Sequence, residues 1–323
     1  MIIYLEKNAK KYDITSKIIE KFWDSQIIEV NNYKNIFDKN IWSFPIEKSI
    51  IIGTTNDSIA QSPENYSPIG HSYFFKTSIN CVFDCKYCYL KWAFKNNFLT
   101  IFVNYEEIKA KIENKIDEIR KSWYKDLILF YASDYSDIQA IDNITEFNKN
   151  FIPFFDKFEN VLVESRTKSG NIWSLLTLEN VPNNFEIAFS LNPQEIIEKY
   201  ETWSSNLETR IEAVNKLLNK WFKVGLRFLP LLPINNYLNI YWDFLDEVIK
   251  EIDLTKINSI QVWSLLYTID DYKNILKKQK NVDILYKLDD CDGKFVRLSK
   301  DFRESLYELF RKKLWNINIC LDE

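Results

Sequence analysis

Five glycines in 323 residues are too few to suggest a phosphate-cradling loop, and no GxGxxG or GxxxxGK[ST] pattern occurs. Histidine appears once, as His71, and cysteine five times. An odd, unpatterned set of cysteines does not make a disulfide framework, and a reducing, cytoplasmic setting is expected. The opening MIIYLEKNAKKYDITSK lacks the apolar core and cleavage site of a signal peptide. No apolar run approaches the length of a membrane span, so no membrane partner is expected. A net charge of −4, with acids and bases intermixed, argues against a broad basic face for nucleic acid. The group Arg303, Arg311, Lys312 and Lys313 reads as a solvated helix face. Aromatic residues are plentiful, with 23 Phe, 18 Tyr and 10 Trp, and they can fill a substantial core.

From Cys81 onward the chain is organised by alternation, and the first apolar run leads into the stretch that begins at Cys81. Short apolar runs occur at 72–79, 126–133, 160–165, 185–191, 224–232 and 257–266. Segments of helical spacing separate them, such as YEEIKAKIENKIDEIRKSW and NLETRIEAVNKLLNKWF. Near-continuous apolar runs between helices indicate parallel strands buried on both faces. The expected fold is α/β, an incomplete (β/α)6 TIM-like barrel over residues 71–270. Residues 1–70 read as an N-terminal module of helical pieces with turns at SPEN and YSPIG. Residues 271–323 read as a hairpin, turning near Asp292-Gly293, followed by the helix KDFRESLYELFRKKL. In such folds catalytic groups gather beyond the carboxyl ends of strands. Polar sequences stand there: the cysteine loop, SDYSD, SRTKS and SLN.

The stretch CVFDCKYCYL holds Cys81, Cys85 and Cys88. Structural zinc takes four protein ligands, and the fourth would have to be His71, Cys291 or Cys320. Three thiolates on three irons of a 4Fe-4S cluster leave one iron open, as a catalytic centre requires. CxxxCxxC with an aromatic before its last cysteine resembles the signature of radical S-adenosylmethionine enzymes. In those, the open iron binds the cofactor's amino and carboxylate groups, and reductive cleavage gives a 5′-deoxyadenosyl radical.

Within that superfamily the chain resembles the spore photoproduct lyase family, which reverses a thymine–thymine adduct in DNA. The match runs through CVFDCKYCYL, VNYEEI (103–108), SDIQAIDNIT (136–145), TK (167–168), FSLN (189–192) and RIEA (210–213). It implies that Cys81, Cys85 and Cys88 hold the cluster, with S-adenosylmethionine contacted by Tyr87, Ser136, Lys168 and Ser190. It also implies a one-electron reductant such as a flavodoxin or ferredoxin; a monomer is expected. One departure matters chemically. The family's hydrogen-donating cysteine, two residues before the serine of SDI, is Asp134 here. A carboxyl O–H bond is too strong for that task. Tyr89, Asp134 and Tyr135 are therefore the candidates for steering the substrate radical. The hairpin turn DDCDG is acidic where the family engages DNA, and is expected to repel phosphate. Both changes favour a modified pyrimidine, nucleoside, small molecule or peptide as substrate. Thymine-adduct repair with another hydrogen donor, and a non-catalytic zinc or iron–sulfur module, are the alternatives.

Overall fold

Isoleucine-rich runs at the start of the chain form strands rather than the helical pieces expected there. The computed structural model describes residues 1–39, 49–63 and 70–321. Ile2–Glu6 lies between Gln26–Val30 and Ser49–Gly53, parallel to both. Ser49–Gly53 also pairs in parallel with Leu99–Phe102, so this sheet draws on chain from both sides of residue 70. The antiparallel Ser78–Ile79 completes it. The physical reason is burial: Ile3, Leu5, Ile51 and Ile52 are almost fully enclosed, and β-branched side chains pack well on a pleated surface. Helix does form where lysines and acids dominate, at Asp13–Lys21. The turns expected at SPEN and YSPIG fall largely on 64–69, outside the described residues.

Contacts divide the chain into two compact units. One comprises Met1–Val82, Phe94–Thr167 and Trp173–Glu186; the other comprises Phe83–Ala93, Lys168–Ile172 and Ile187–Glu323. In the first unit, His71–Phe75, Ile128–Tyr131 and Val161–Thr167 are hydrogen-bonded in parallel in that order. Ile59–Gln61 runs antiparallel along His71–Phe75. The run at 72–79 is thus split: its first part joins this sheet, and Ser78–Ile79 joins the other. Helix Tyr105–Lys121 buries Ile108, Ile112, Ile116 and Ile119, spaced for one face. The rings of Phe75, Phe130, Phe147, Phe151 and Phe155 fill the core, with Phe147 stacked on Phe151 at 4.7 Å between centroids.

In the second unit Lys223–Leu231 pairs in parallel with Ser259–Ser264, which pairs with Cys320–Leu321. Residues 187–190 end the Phe185–Ser190 strand, and the Leu191 N–H donates to the Arg227 carbonyl at 2.9 Å. Helix Leu207–Asn219 starts at an Asn206 cap, whose side chain accepts from the Thr209 N–H at 2.8 Å. The expected hairpin is present: Leu288–Cys291 and Phe295–Leu298 are antiparallel, and Leu266–Thr268 adds a third strand. Gly293, with φ +87°, makes its turn. Helix Lys300–Lys313 follows. All six apolar runs contain strands, and the fold is α/β. Among the described residues, no helix is long and apolar enough to cross a membrane.

Candidate active site

The second unit holds most of the cysteine loop. Asp84–Cys85 forms a two-residue antiparallel ribbon with Glu201–Thr202, and the Lys86 N–H donates to the Tyr200 carbonyl at 2.8 Å. Turn bonds from the Cys88 N–H to the Cys85 carbonyl and from the Lys91 N–H to the Cys88 carbonyl lead into the short helix Leu90–Ala93. The Tyr267 hydroxyl donates to the Tyr87 carbonyl at 2.6 Å, and Lys91 pairs with Asp84. Cys85 is buried, Cys81 and Cys88 are half-buried, and none is in a disulfide. Burial pushes the Cys88 thiol upward, while the Lys168 and Lys91 ammonium groups pull it down.

Glu201 is where the site's polar groups converge. Its carboxylate accepts from the Tyr87 hydroxyl, from Asn192 Nδ2 at 2.9 Å and from Arg210 Nη2 at 2.6 Å. Glu201 and Arg210 side chains are fully enclosed. Burial alone would raise the carboxyl, but Arg210 and Lys168 outweigh it and hold it at about 2. Arg210 also donates to the Ser190 carbonyl at 2.7 Å, the Ser204 hydroxyl at 2.7 Å and the Ser205 carbonyl at 2.9 Å. One ion pair thereby joins the cysteine loop, the end of the Phe185–Ser190 strand and the start of helix Leu207–Asn219. Neither Glu201 nor Arg210 was among the residues expected to act. Arg210 opens the RIEA match, which is the one sequence signal that marks it.

Lys168 lies in the segment Lys168–Ile172, pressed against that helix. The Ser205 N–H donates to the Lys168 carbonyl at 3.1 Å, and Ser205 Oγ accepts from the Gly170 N–H at 2.8 Å. A Cβ on Gly170 would stand 2.3 Å from Thr209 Cγ2, so a larger residue there must displace the helix or the segment. Lys168 Nζ lies 5.9 Å from the centre of the Tyr87 ring. The structure thus gathers Tyr87, Lys168 and Ser190 around one buried carboxylate.

Ser136, Asp134 and Tyr135 belong to the first unit, in the loop after Ile128–Tyr131. Asp137 anchors that loop, accepting from the Thr167 hydroxyl at 2.8 Å and the Ala140 N–H at 3.1 Å. Gln139 and Asn148 exchange amide hydrogen bonds of 2.8 and 3.0 Å, and Gln139 also donates to Ser165 Oγ. Asp134 and Tyr135 are half-buried. The Tyr135 ring packs edge-on against Phe74, and Lys76, paired with Asp57, sits 5.3 Å over it. Burial, then the Asp134 charge, raises the Tyr135 phenol. Tyr89, in the second unit, is 40 % exposed and packs edge-on against Trp92.

The polar groups left over fit a cofactor. Ser136 Oγ, Ser190 Oγ and Asn192 Oδ1 are buried with no hydrogen-bond partner in the protein. Other buried side-chain atoms, Ser58 Oγ and Ser78 Oγ among them, are in the same state, so a bound molecule is accommodated here rather than required; two of the three were expected to touch S-adenosylmethionine. Among the described residues, no three His, Cys, Asp or Glu side chains are grouped to hold a single metal ion. Thiolates bound to three different irons stand further apart than ligands of one ion, so such a loop differs from a one-metal site. Of the residues considered as a fourth zinc ligand, His71 is engaged with Tyr73 and the Tyr124 ring, and Cys291 and Cys320 are exposed.

Two acids of the hairpin turn carry ion pairs within the same segment. Asp292 pairs with Arg297, and Asp290 pairs with Arg303 at 2.9 Å. Two of the three carboxylates of DDCDG are thus paired with cations of the same segment, and Asp289 is exposed, so the acidity expected of this turn is reduced by two ion pairs.

A loop of thiols and, in the second unit, the unsatisfied Ser190 hydroxyl on an α/β scaffold suit the class of radical S-adenosylmethionine enzymes. The family model described as spore photoproduct lyase matches residues 1–279, and the chain belongs to that family. Its members are radical S-adenosylmethionine lyases with a 4Fe-4S cluster. The chain is 28% identical over 300 residues to the spore photoproduct lyase of Clostridium acetobutylicum, covering 91% of this chain and 86% of that one. It is 26% identical over 255 residues to that of Bacillus subtilis, covering 75% and 69%. A solved mutant spore photoproduct lyase with bound AdoMet and dinucleoside spore photoproduct superimposes with a TM-score of 0.82 at 18% identity. That match covers 100% of this chain and 98% of the other.

Proposed function

We propose that this enzyme cleaves a thymine photoproduct derived from DNA. Family membership over residues 1–279 carries this reading. The ion pairs of Asp290 and Asp292 support it, because they weaken an objection to a phosphate-bearing substrate that rested on unpaired acids. The six strand-forming runs and their helices are read as the incomplete (β/α)6 barrel of this family.

Cys81, Cys85 and Cys88 would hold a 4Fe-4S cluster, and Tyr87, Ser136, Lys168 and Ser190 would hold S-adenosylmethionine. When bound and reduced by a flavodoxin or ferredoxin, that pair supplies a 5′-deoxyadenosyl radical able to abstract a substrate hydrogen. The chain's own residues do the rest. The Lys168 ammonium suits a carboxylate, and the buried Ser136 and Ser190 hydroxyls suit ribose or amino-acid groups. Tyr87 is fixed at both ends, by Glu201 at its hydroxyl and by Tyr267 at its carbonyl. With its hydroxyl committed to a carboxylate, it serves position. Tyr89 and Tyr135 are left as the phenols able to exchange a hydrogen atom with the substrate. Asp134 would tune Tyr135 or bind a polar substrate group, since its own O–H bond is too strong to give up a hydrogen atom.

Asp134 also favours a second reading, in which the same radical acts on another modified pyrimidine. Both are tested by supplying the anaerobically reconstituted, reduced enzyme with S-adenosylmethionine and a synthetic dinucleoside spore photoproduct. Release of unmodified thymidine residues, dependent on S-adenosylmethionine, is expected. Formation of 5′-deoxyadenosine with the adduct left intact would reject repair and leave the second reading.

A further inference from the structure

Lys76 is a cation with no part among the residues assigned so far to cluster or cofactor. It follows the strand His71–Phe75, and Tyr135 lies in the loop after the parallel neighbour Ile128–Tyr131. Both therefore stand at the carboxyl ends of adjacent strands, where α/β folds gather their chemistry. The Lys76 backbone is fixed, its N–H donating to the Ser58 carbonyl at 2.9 Å. Its side chain is largely enclosed, at 15% exposure, yet that of its carboxylate partner Asp57 is 85% exposed. An ion pair with so solvated a carboxylate is worth little and does not by itself explain drawing an ammonium inward. Nor is Asp57 reserved for Lys76. The Lys76 hydrogen bond holds its carboxyl below the usual range against partial burial, and the Lys111 and Lys34 charges add to the effect.

An ammonium has three N–H donors. Asp57 takes one at 2.8 Å, and the face of the Tyr135 ring, 5.3 Å from Nζ, meets another. Among the described residues the third has no further acceptor. Flat apolar surfaces lie beside it: Phe74 packs against Tyr131 at 5.7 Å and edge-on against Tyr135 at 6.3 Å between centroids. Aromatic rings with a hydrogen-bond donor at their margin match a pyrimidine, which is flat and bears carbonyl oxygens at its edge.

We infer that Lys76 is a substrate-binding residue, whose ammonium donates a hydrogen bond to an oxygen of the thymine adduct beside Tyr135. The inference rests on the substrate reading above and adds a contact to it. A DNA-derived adduct offers two sources of that oxygen, a pyrimidine carbonyl and the phosphodiester between the two nucleosides.

The test is affinity, without turnover. Wild type, Lys76→Met and Lys76→Arg are reconstituted anaerobically, and iron content, melting and S-adenosylmethionine affinity are checked. With S-adenosylmethionine present and no reductant, binding of the dinucleoside adduct and of its phosphate-bearing dinucleotide is measured by equilibrium dialysis. Lys76→Met keeps the length and loses the charge. It should bind about tenfold more weakly at unchanged S-adenosylmethionine affinity, and Lys76→Arg should recover part of the loss. An equal loss for both adducts assigns a base carbonyl; a loss confined to the dinucleotide assigns the phosphate. Wild-type affinity of folded Lys76→Met for both adducts overturns the inference and leaves the repair reading intact. A second measurement uses the wild type, so no folding defect enters. Reductive methylation of lysines, read by mass spectrometry, should slow severalfold at Lys76 when adduct is bound and stay constant at the exposed Lys34. Equal rates at Lys76 with and without bound adduct overturn the inference. A wild type that takes up iron but binds neither adduct overturns the inference and the repair reading together.

Discussion

Asp134 follows the parallel strand Ile128–Tyr131 and Glu201 lies in the antiparallel ribbon with the cysteine loop, and the protein treats these two carboxylates oppositely. Glu201, in the second unit, is fully enclosed, accepts three side-chain hydrogen bonds and stays ionised against a large desolvation cost. Asp134, in the first unit, is half-buried in a turn whose anchoring is done by its neighbours Asp137 and Gln139. The cost of burying charge explains the contrast. A carboxylate that orients a cofactor-binding shell must be immobile, so it is surrounded by partners that rule out any other arrangement. A group that meets the substrate gains from partial exposure, and its identity can change without unravelling what surrounds it. On the proposed reading, a lyase-family chain carries Asp at the hydrogen-donor position and keeps the Glu201 network that would orient its cofactor residues.

The largest effect expected is at the cysteines on the second unit's side of this comparison. Cys85→Ala should abolish cluster assembly and all S-adenosylmethionine cleavage, read as iron content and 5′-deoxyadenosine by mass spectrometry. Retained cleavage would refute the cluster assignment, and a wild type that held zinc and took up no iron would turn the loop into a binding module.

Removing Glu201 comes next. Glu201→Ala leaves Arg210 buried without its carboxylate, and breaking such a pair costs about 3–5 kcal/mol. Chemical denaturation at neutral pH measures it. The pH dependence follows in sign: the folded-state pKa, about 2, lies below the usual 4.5, so the contribution is present above pH 4.5. It fades as pH falls towards 2. Wild-type stability should therefore drop more steeply across that window than Glu201→Gln does. Parallel curves would mean that the charge is not what holds the shell.

Part of this was written in the sequence and part was not. Six apolar runs with helical spacing between them announced the α/β alternation, because burial on both faces leaves a mark that any reader of hydropathy can find. The cysteine loop was equally plain. Ser136 and Ser190 could be proposed only through motif registration, since one serine looks like another. Glu201 and Arg210 were hidden for a different reason. Charged residues are common in this chain, and nothing in the one-dimensional order says that these two are buried and paired across eight intervening residues. The hairpin's ion pairs were hidden in a related way: the partners of Asp290 and Asp292, Arg303 and Arg297, lie 13 and five positions further on. Residues 1–53 misled through local charge, as lysines around short isoleucine runs disguised the strands Ile2–Glu6 and Ser49–Gly53.

The smallest expected effect falls on Asp134 itself, and it sharpens the comparison most. Asp134→Cys should leave iron content, S-adenosylmethionine affinity and melting close to wild type, because Asp134 is half-buried in a loop of the first unit and the Glu201 network is built from Tyr87, Asn192 and Arg210. A thiol S–H bond is weak enough to give a hydrogen atom to a product radical, whereas a carboxyl O–H is not. If the enzyme repairs a thymine adduct through a phenol, the thiol opens a second route to the same product. The yield of repaired thymidine per 5′-deoxyadenosine should then rise severalfold, while Tyr135→Phe in the Asp134 background should lower it. If repair stays absent in both backgrounds although S-adenosylmethionine is cleaved, the departure at Asp134 belongs to a changed substrate rather than to a changed donor. A collapse of cofactor affinity in Asp134→Cys would break the contrast drawn here, placing this carboxylate among the residues that hold the cofactor shell.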